Sequence, residues 1–164
     1  MRTFFAVFFG ILAGVAVIGG IIWVIGRVKE IKQAAALESE MPAQHLKSIS
    51  IACDTYRAKF GRFPNELADL GYKDGKIEGN ILEDPRHAGL LDPMLTSGKN
   101  GGYVLTYKVD NTDRQGYATA YSVTASPDHG DGKRFFVDQT GIVRFTAEKR
   151  PATATDLPDS TIER

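Results

Sequence analysis

The chain has 164 residues, and its 20 Lys plus Arg are balanced by 20 Asp plus Glu, so the formal net charge is zero. Outside the flank of an apolar N-terminal run, no cluster of Lys or Arg provides the positive surface that nucleic-acid binding requires. We therefore expect no nucleic-acid partner. The single cysteine, Cys53, excludes a disulfide within the chain, and we expect it to be a small core side chain rather than a nucleophile.

An uncharged, mostly aliphatic run covers residues 4–26. At 1.5 Å per residue, a helix of this length spans about 30 Å, the thickness of the hydrocarbon core of a bilayer. Trp23 and the basic residues that follow it are typical of an interfacial flank. The run therefore predicts a transmembrane anchor over residues 1–27, and a cleaved signal peptide is the alternative.

Small residues recur four apart within this run. Gly10 with Gly14, and Ala16 with Gly20, form two pairs of the kind that lets a second helix approach closely in lipid. These residues are candidates for helix packing in the membrane. Because glycine is common in membrane spans, the alternative is that they have no specific partner.

After the anchor, residues 28–149 are expected to form one domain. Apolar residues recur there at spacings of three and four, which predicts a helix with one buried face. The first set is Val28, Ile31 and Ala35, and the second, which we predict to lie in the core, is Leu46, Ile49, Cys53, Tyr56 and Phe60. We expect one long helix that bends near Pro42 and ends at Gly61, where glycine adopts a left-handed conformation at little cost.

Residues 63–98 form an irregular connection with two predicted helical turns. One covers residues 64–70, and the other begins at Asp92-Pro93, a capping residue followed by a proline. Long connections of this kind are often functional.

Alternating apolar residues predict four antiparallel strands, over residues 103–109, 117–125, 134–137 and 142–145. Residues 110–116 and 138–141 are the predicted hairpin loops. The residues predicted to share one face of their strand are Tyr103, Leu105, Tyr107 and Val109 on the first strand and Tyr117, Tyr121 and Val123 on the second. Because almost no apolar residue follows Arg150, we predict that residues 150–164 are a disordered tail. The predicted fold is α+β, with the membrane helix continuing into an amphipathic helix that packs on a sheet of about four strands.

This order of elements resembles the type IV pilin and type II secretion pseudopilin family, and in particular pilin-like proteins of the acidobacterial type. The resemblance depends on segments 45–56, 61–64, 67–71, 89–92 and 135–144, together with Ser97-Gly98 and Gly102-Tyr103. It implies a pilin-like domain and a non-catalytic protein that is a structural or accessory component of a type IV pilus or type II secretion-like system. Its expected partners are membrane lipid and either proteins of that system or further copies of itself.

Prepilins usually carry a glutamate five residues into the apolar run, and residues 1–27 contain none. This departure favours an alternative function, a membrane-tethered interaction module that does not enter a filament. An enzyme is the third alternative. The resemblance implies a bacterial inner-membrane protein with a periplasmic domain, whereas Arg27, Lys29 and Lys32 after the run favour a cytoplasmic domain, so both topologies stay open.

Catalytic and metal-binding patterns are sparse. His45, His87 and His129 lack the spacing of a zinc-binding helix, so we predict no catalytic residue and no cofactor. Asp128 and Asp131 lie in a glycine-containing loop and are candidate calcium ligands, because carboxylate oxygens are the ligands that calcium prefers. A polar hairpin loop without metal is the alternative.

Overall fold

The computed structural model describes residues 41–75 and 81–160, which all belong to one compact unit of the chain. The predicted anchor at 1–27, the small residues Gly10, Gly14, Ala16 and Gly20, and the first apolar set at 28–35 lie outside these ranges. Within them, the structure contains no helix that is both long enough and apolar enough to cross a membrane.

Helix α1 is described over residues 41–60. Leu46, Ile49, Cys53 and Tyr56 are buried on its inner face, and Phe60 is partly buried beside them. The helix ends because Gly61 adopts a φ of +73° while its N–H donates to the carbonyl of Arg57 at 2.8 Å. Pro42 lies inside the described helix, but the residues before Met41 that would define a bend there lie outside it.

Over the described residues the sheet has six antiparallel strands, not the four that the sequence predicts. They follow one another in chain order as β1 (Lys99–Asn100), β2 (Tyr103–Thr112), β3 (Ala118–Pro127), β4 (Arg134–Asp138), β5 (Arg144–Thr146) and β6 (Leu157–Pro158). The predicted fold class is therefore wrong in its sheet. The two strands that were missed have two residues each, too few to show an alternating pattern.

The core lies between α1 and one face of this sheet. Leu105, Ala125 and Phe135 are opposite one another on adjacent strands, and each is buried. The apolar face of α1 belongs to the same buried cluster. At the turn between β4 and β5, the Lys47 ammonium donates to the carbonyl of Gly141 at 3.1 Å, which fixes α1 to the sheet.

Tyr117 does not share the buried face of Tyr121 and Val123, whereas the sequence predicts all three on one face of the strand. Its side chain is 45% exposed, and Ala118 is buried in its place. The register between β2 and β3 is irregular after Val109, and such an irregularity changes which residues of a strand face the core. Tyr121 and Val123 lie where the register with β2 is still regular, and both are buried on one face of β3, in agreement with the predicted alternation.

The tail predicted to be disordered from Arg150 is instead folded as far as residue 160. Leu157 pairs with Phe145, so the tail provides the last strand of the sheet. The Arg150 guanidinium donates to the Asp156 carboxylate, and Ala152 is buried. Residues 161–164 lie outside the described part of the chain.

In the described parts of the connection between α1 and the sheet, residues 61–75 and 81–98, there are three short helices. Two are 3₁₀ helices at Leu67–Leu70 and Lys73–Gly75, and the third is α2 at Pro93–Thr96. The first and the third agree with the two helical turns predicted from the sequence. Asp92 caps α2, since its carboxylate accepts the N–H of Leu95 at 3.0 Å.

Candidate functional site

The main concave surface of interest is a groove formed by the connection between α1 and the sheet. One part has a volume of about 450 Å³ and reaches Tyr72, Arg86 and His87, and the other has a volume of about 350 Å³ and reaches Leu105, Thr106 and Tyr107 on β2. The two parts adjoin the same walls, because they share four lining residues, Glu66, Ala68, Thr96 and Ser97. We refer to the two parts together below as the connection groove.

One wall of the connection groove is held by Asp69. This buried carboxylate accepts the backbone N–H of Asn65 at 2.9 Å and that of Glu66 at 3.4 Å, which caps the 3₁₀ helix at Leu67–Leu70. Gly71 follows, and a Cβ there would lie 3.2 Å from Thr96 of the opposite wall. Glycine is therefore what allows the two walls to approach so closely.

Two tyrosines tie the connection to the rest of the domain. The Tyr56 hydroxyl on α1 donates to the carbonyl of Pro85 at 2.7 Å, and the Tyr107 hydroxyl on β2 donates to the carbonyl of Pro64 at 2.7 Å. Burial is the main cause that raises the pKa of both phenols. Both hydroxyls therefore remain protonated donors at neutral pH, and they hold the groove walls in place.

The Arg86 end of the groove carries mixed charge. Arg86 and His87 lie 3.8 Å and 3.4 Å from the two carboxylate oxygens of Asp84. The pKa of Asp84 is lowered, mainly because its carboxylate accepts the backbone N–H of Arg86. The arrangement is a capped turn with its charges partly neutralised, and it does not form a concentrated anion site.

The two candidate calcium ligands, Asp128 and Asp131, contact different side chains. Asp131 is 78% exposed and its carboxylate lies 2.8 Å from the ammonium of Lys149, whereas the Asp128 carboxylate lies 4.0 Å from the ring of His129. Over residues 41–75 and 81–160, no three His, Cys, Asp or Glu side chains come together in a way that would hold a metal ion. The two carboxylates therefore provide only a small part of the six to eight oxygen ligands that calcium takes.

The three histidines lie on different elements. His45 is on α1, where burial lowers its pKa while the nearby Asp92 carboxylate opposes that shift. His87 lies in the connection groove and His129 in the turn after β3. They are not part of one site.

The Cys53 thiol is inaccessible to solvent and reagents in the folded domain. It is fully buried on the inner face of α1, and burial raises the pKa of its thiol to about 12. Since the thiolate is the reactive form, a thiol with so high a pKa is a poor nucleophile at neutral pH.

No residue of the connection groove was singled out as a site by the sequence. The available signal was the length of the irregular connection, together with its capped turns. Comparison of this chain with models of protein families, with characterised proteins and with solved structures finds no match.

Proposed function

We propose that this chain is a non-catalytic structural or accessory protein of a type IV pilus or type II secretion-like system, and that its folded domain acts by contacting other proteins. One observation carries the non-catalytic part of the proposal: the side chains best suited to chemistry hold the fold together. The Cys53 thiol is buried, the Asp69 carboxylate caps a helix, and the hydroxyls of Tyr56 and Tyr107 donate to backbone carbonyls. Catalytic groups need access to substrate and a pKa near the working pH.

The system in which the protein would act is supported by the resemblance of segments 45–56, 61–64, 67–71, 89–92 and 135–144 to pilins and pseudopilins. With that assignment we expect a location in the bacterial inner membrane and a periplasmic domain. Carbonate extraction of native membranes tests the location, because an integral protein stays in the pellet. Protease added to spheroplasts tests the topology, because only a periplasmic domain would be digested.

Deletion of the gene in its native host tests the proposed function. We expect the deletion strain to lose surface filaments or to lose secretion of extracellular proteins, and the wild-type gene to restore whichever is lost. A variant such as Ile51→Ala, which changes an exposed side chain on α1, is a matched control and should restore the phenotype equally. Unchanged filaments together with unchanged secretion in the deletion strain would contradict the proposal.

A second candidate function is an interaction module that does not enter a filament. The observation that favours it is the absence of any Asp or Glu from residues 1–27, because the acid that pilins use for docking into the filament has no counterpart there. Intact mass and N-terminal sequencing of the native protein distinguish the two. Recovery of the chain in sheared filaments supports the filament subunit, whereas an unprocessed chain confined to the membrane fraction supports the interaction module.

A further inference from the structure

Within residues 41–75 and 81–160, strand β2 is paired along nearly all of one edge and is mostly unpaired along the other. On its inner side β2 pairs with β3 along nearly its whole length, whereas on its outer side β1 pairs only with Tyr103 and Val104. The N–H of Leu105 donates outward to the carbonyl of Gly98 at 2.8 Å. Because backbone groups alternate in direction along a strand, those of Tyr107 must also point outward.

The same alternation reaches Val109, where the register with β3 becomes irregular. No residue in the described ranges makes a backbone hydrogen bond to Tyr107 or Val109 on this outer side. The open edge therefore offers two N–H donors and two carbonyl acceptors in the spacing of a β-ladder. An unpaired edge of this kind is a template for a further strand.

The connection groove lies directly beside this open edge. Its smaller part is lined by β2 itself and by two walls, one at residues 65–68 and the other at residues 96–98. An extended segment that paired with Tyr107 would continue between these walls toward Arg86. The side chains along that path include the hydroxyls of Thr96 and Ser97 and the carboxylate of Glu66. These polar groups can contact a peptide that has no large apolar surface.

The geometry favours a single extended segment over a second copy of the domain. The open edge is flanked by walls, and a second copy would bring its own walls with its own β2 edge. The register irregularity after Val109 limits the pairing to a short segment.

We propose that the outer edge of β2 at Tyr107 and Val109 binds an extended peptide segment of a protein partner by strand addition, and that the segment continues along the connection groove. Backbone hydrogen bonds would provide the affinity, and the groove side chains would select the sequence. The proposal rests on the proposed function as a domain that contacts other proteins, and it names the class of partner.

Amide hydrogen exchange of the full chain in detergent micelles tests the proposal. The probe is a capped heptapeptide of alternating valine and threonine, and its matched control carries N-methyl groups on one edge. With saturating probe we expect exchange at Tyr107 and Val109 to slow at least tenfold, whereas Thr106 and Lys108, which face β3, should not change. The control peptide should have no effect. Unchanged exchange at Tyr107 and Val109 with the probe would overturn the proposal.

A pair of substitutions at one position provides a second test. Val109→Pro removes an outward N–H without removing a hydrogen bond to β3, and we expect it to weaken probe binding at least tenfold. Val109→Thr keeps the N–H and should bind within threefold of the wild type. Equal binding by both variants would overturn the proposal, as would a wild-type dimer that dissociates on Val109→Pro, because the occupant would then be a second copy. If Val109→Pro does not fold, the N-methylated peptide still decides the question. Failure of these tests would not decide the proposed function, because the deletion strain tests that function independently.

Discussion

Replacing Ile49 by alanine should strongly destabilise the domain, because this side chain is fully buried between α1 and the sheet. The substitution removes three carbon atoms, which corresponds to about 2.4 kcal/mol at about 0.8 kcal/mol per buried methylene. The cavity that remains adds to this loss, and buried Ile→Ala changes typically cost about 2–5 kcal/mol. We therefore expect a loss of about 3–4 kcal/mol in the free energy of unfolding.

The matched control lies two residues further along the same helix. Ile51 is 56% exposed, so Ile51→Ala removes the same atoms from a side chain that is mostly in water. Surface substitutions away from special features usually change the free energy of unfolding by no more than about 0.5 kcal/mol. The difference between the two variants isolates the contribution of burial, since both lose the same chemical group from the same helix.

Urea unfolding of the full chain in mild detergent, followed by near-ultraviolet circular dichroism of the tyrosines, measures this difference. For a slope of about 1.5 kcal/mol/M, a loss of about 3 kcal/mol lowers the midpoint by about 2 M. The slope itself should not change, because the same surface is exposed on unfolding. Equal midpoints for the two variants would refute the assignment of the buried face of α1 and the packing described here.

Three further predictions concern single groups. Cys53 should react with a thiol reagent slowly in the folded protein and rapidly in denaturant, because it is buried and its pKa is raised to about 12; rapid labelling of the native protein would contradict its position. Tyr107→Phe should cost about 1 kcal/mol in urea unfolding, because it removes the hydrogen bond to the carbonyl of Pro64, and an unchanged midpoint would count against that contact. In the folded protein the pKa of His45 is lowered below 6.5, so the unfolded chain binds a proton more readily and the free energy of unfolding should fall as the pH drops below 6.5. His45→Gln should make the free energy of unfolding depend less on pH in this range. An unaltered pH profile would show that another group causes the dependence.

Local patterns in the sequence were sufficient to predict those features that depend only on residues close together in the chain. The spacing of Leu46, Ile49, Cys53 and Tyr56 indicates the inner face of α1, because a helix brings residues three and four apart onto one side whatever the rest of the fold is. Gly61 and Asp92 indicated a helix end and a helix start for the same reason, since capping involves residues within one turn.

Non-local pairing decided the remainder of the fold. β1 and β6 are too short to have a periodicity, and they are strands only because β2 and β5 lie beside them. The polar tail after Arg150 has the composition of a disordered segment, yet its folded part is held by pairing with β5 and by the contact between Arg150 and Asp156. Composition does not report such contacts, because it contains no information about distant partners.

The connection groove depends even more strongly on tertiary structure. Its walls come from segments about thirty residues apart, and within the described ranges the edge it borders is unpaired beyond Leu105 because β1 begins only at Lys99. Tertiary structure also decides that Ala118, and not Tyr117, is buried in the core. The register irregularity between the two strands reverses the faces of the residues beyond it. The sequence by itself determined the inner face and the C-terminal end of α1, two of the three described short helices and most of the alternation in the long strands, because those features arise from backbone geometry over a few residues. Only the tertiary structure decided the number of strands, the fate of the tail and the open edge, because each depends on which distant segments meet.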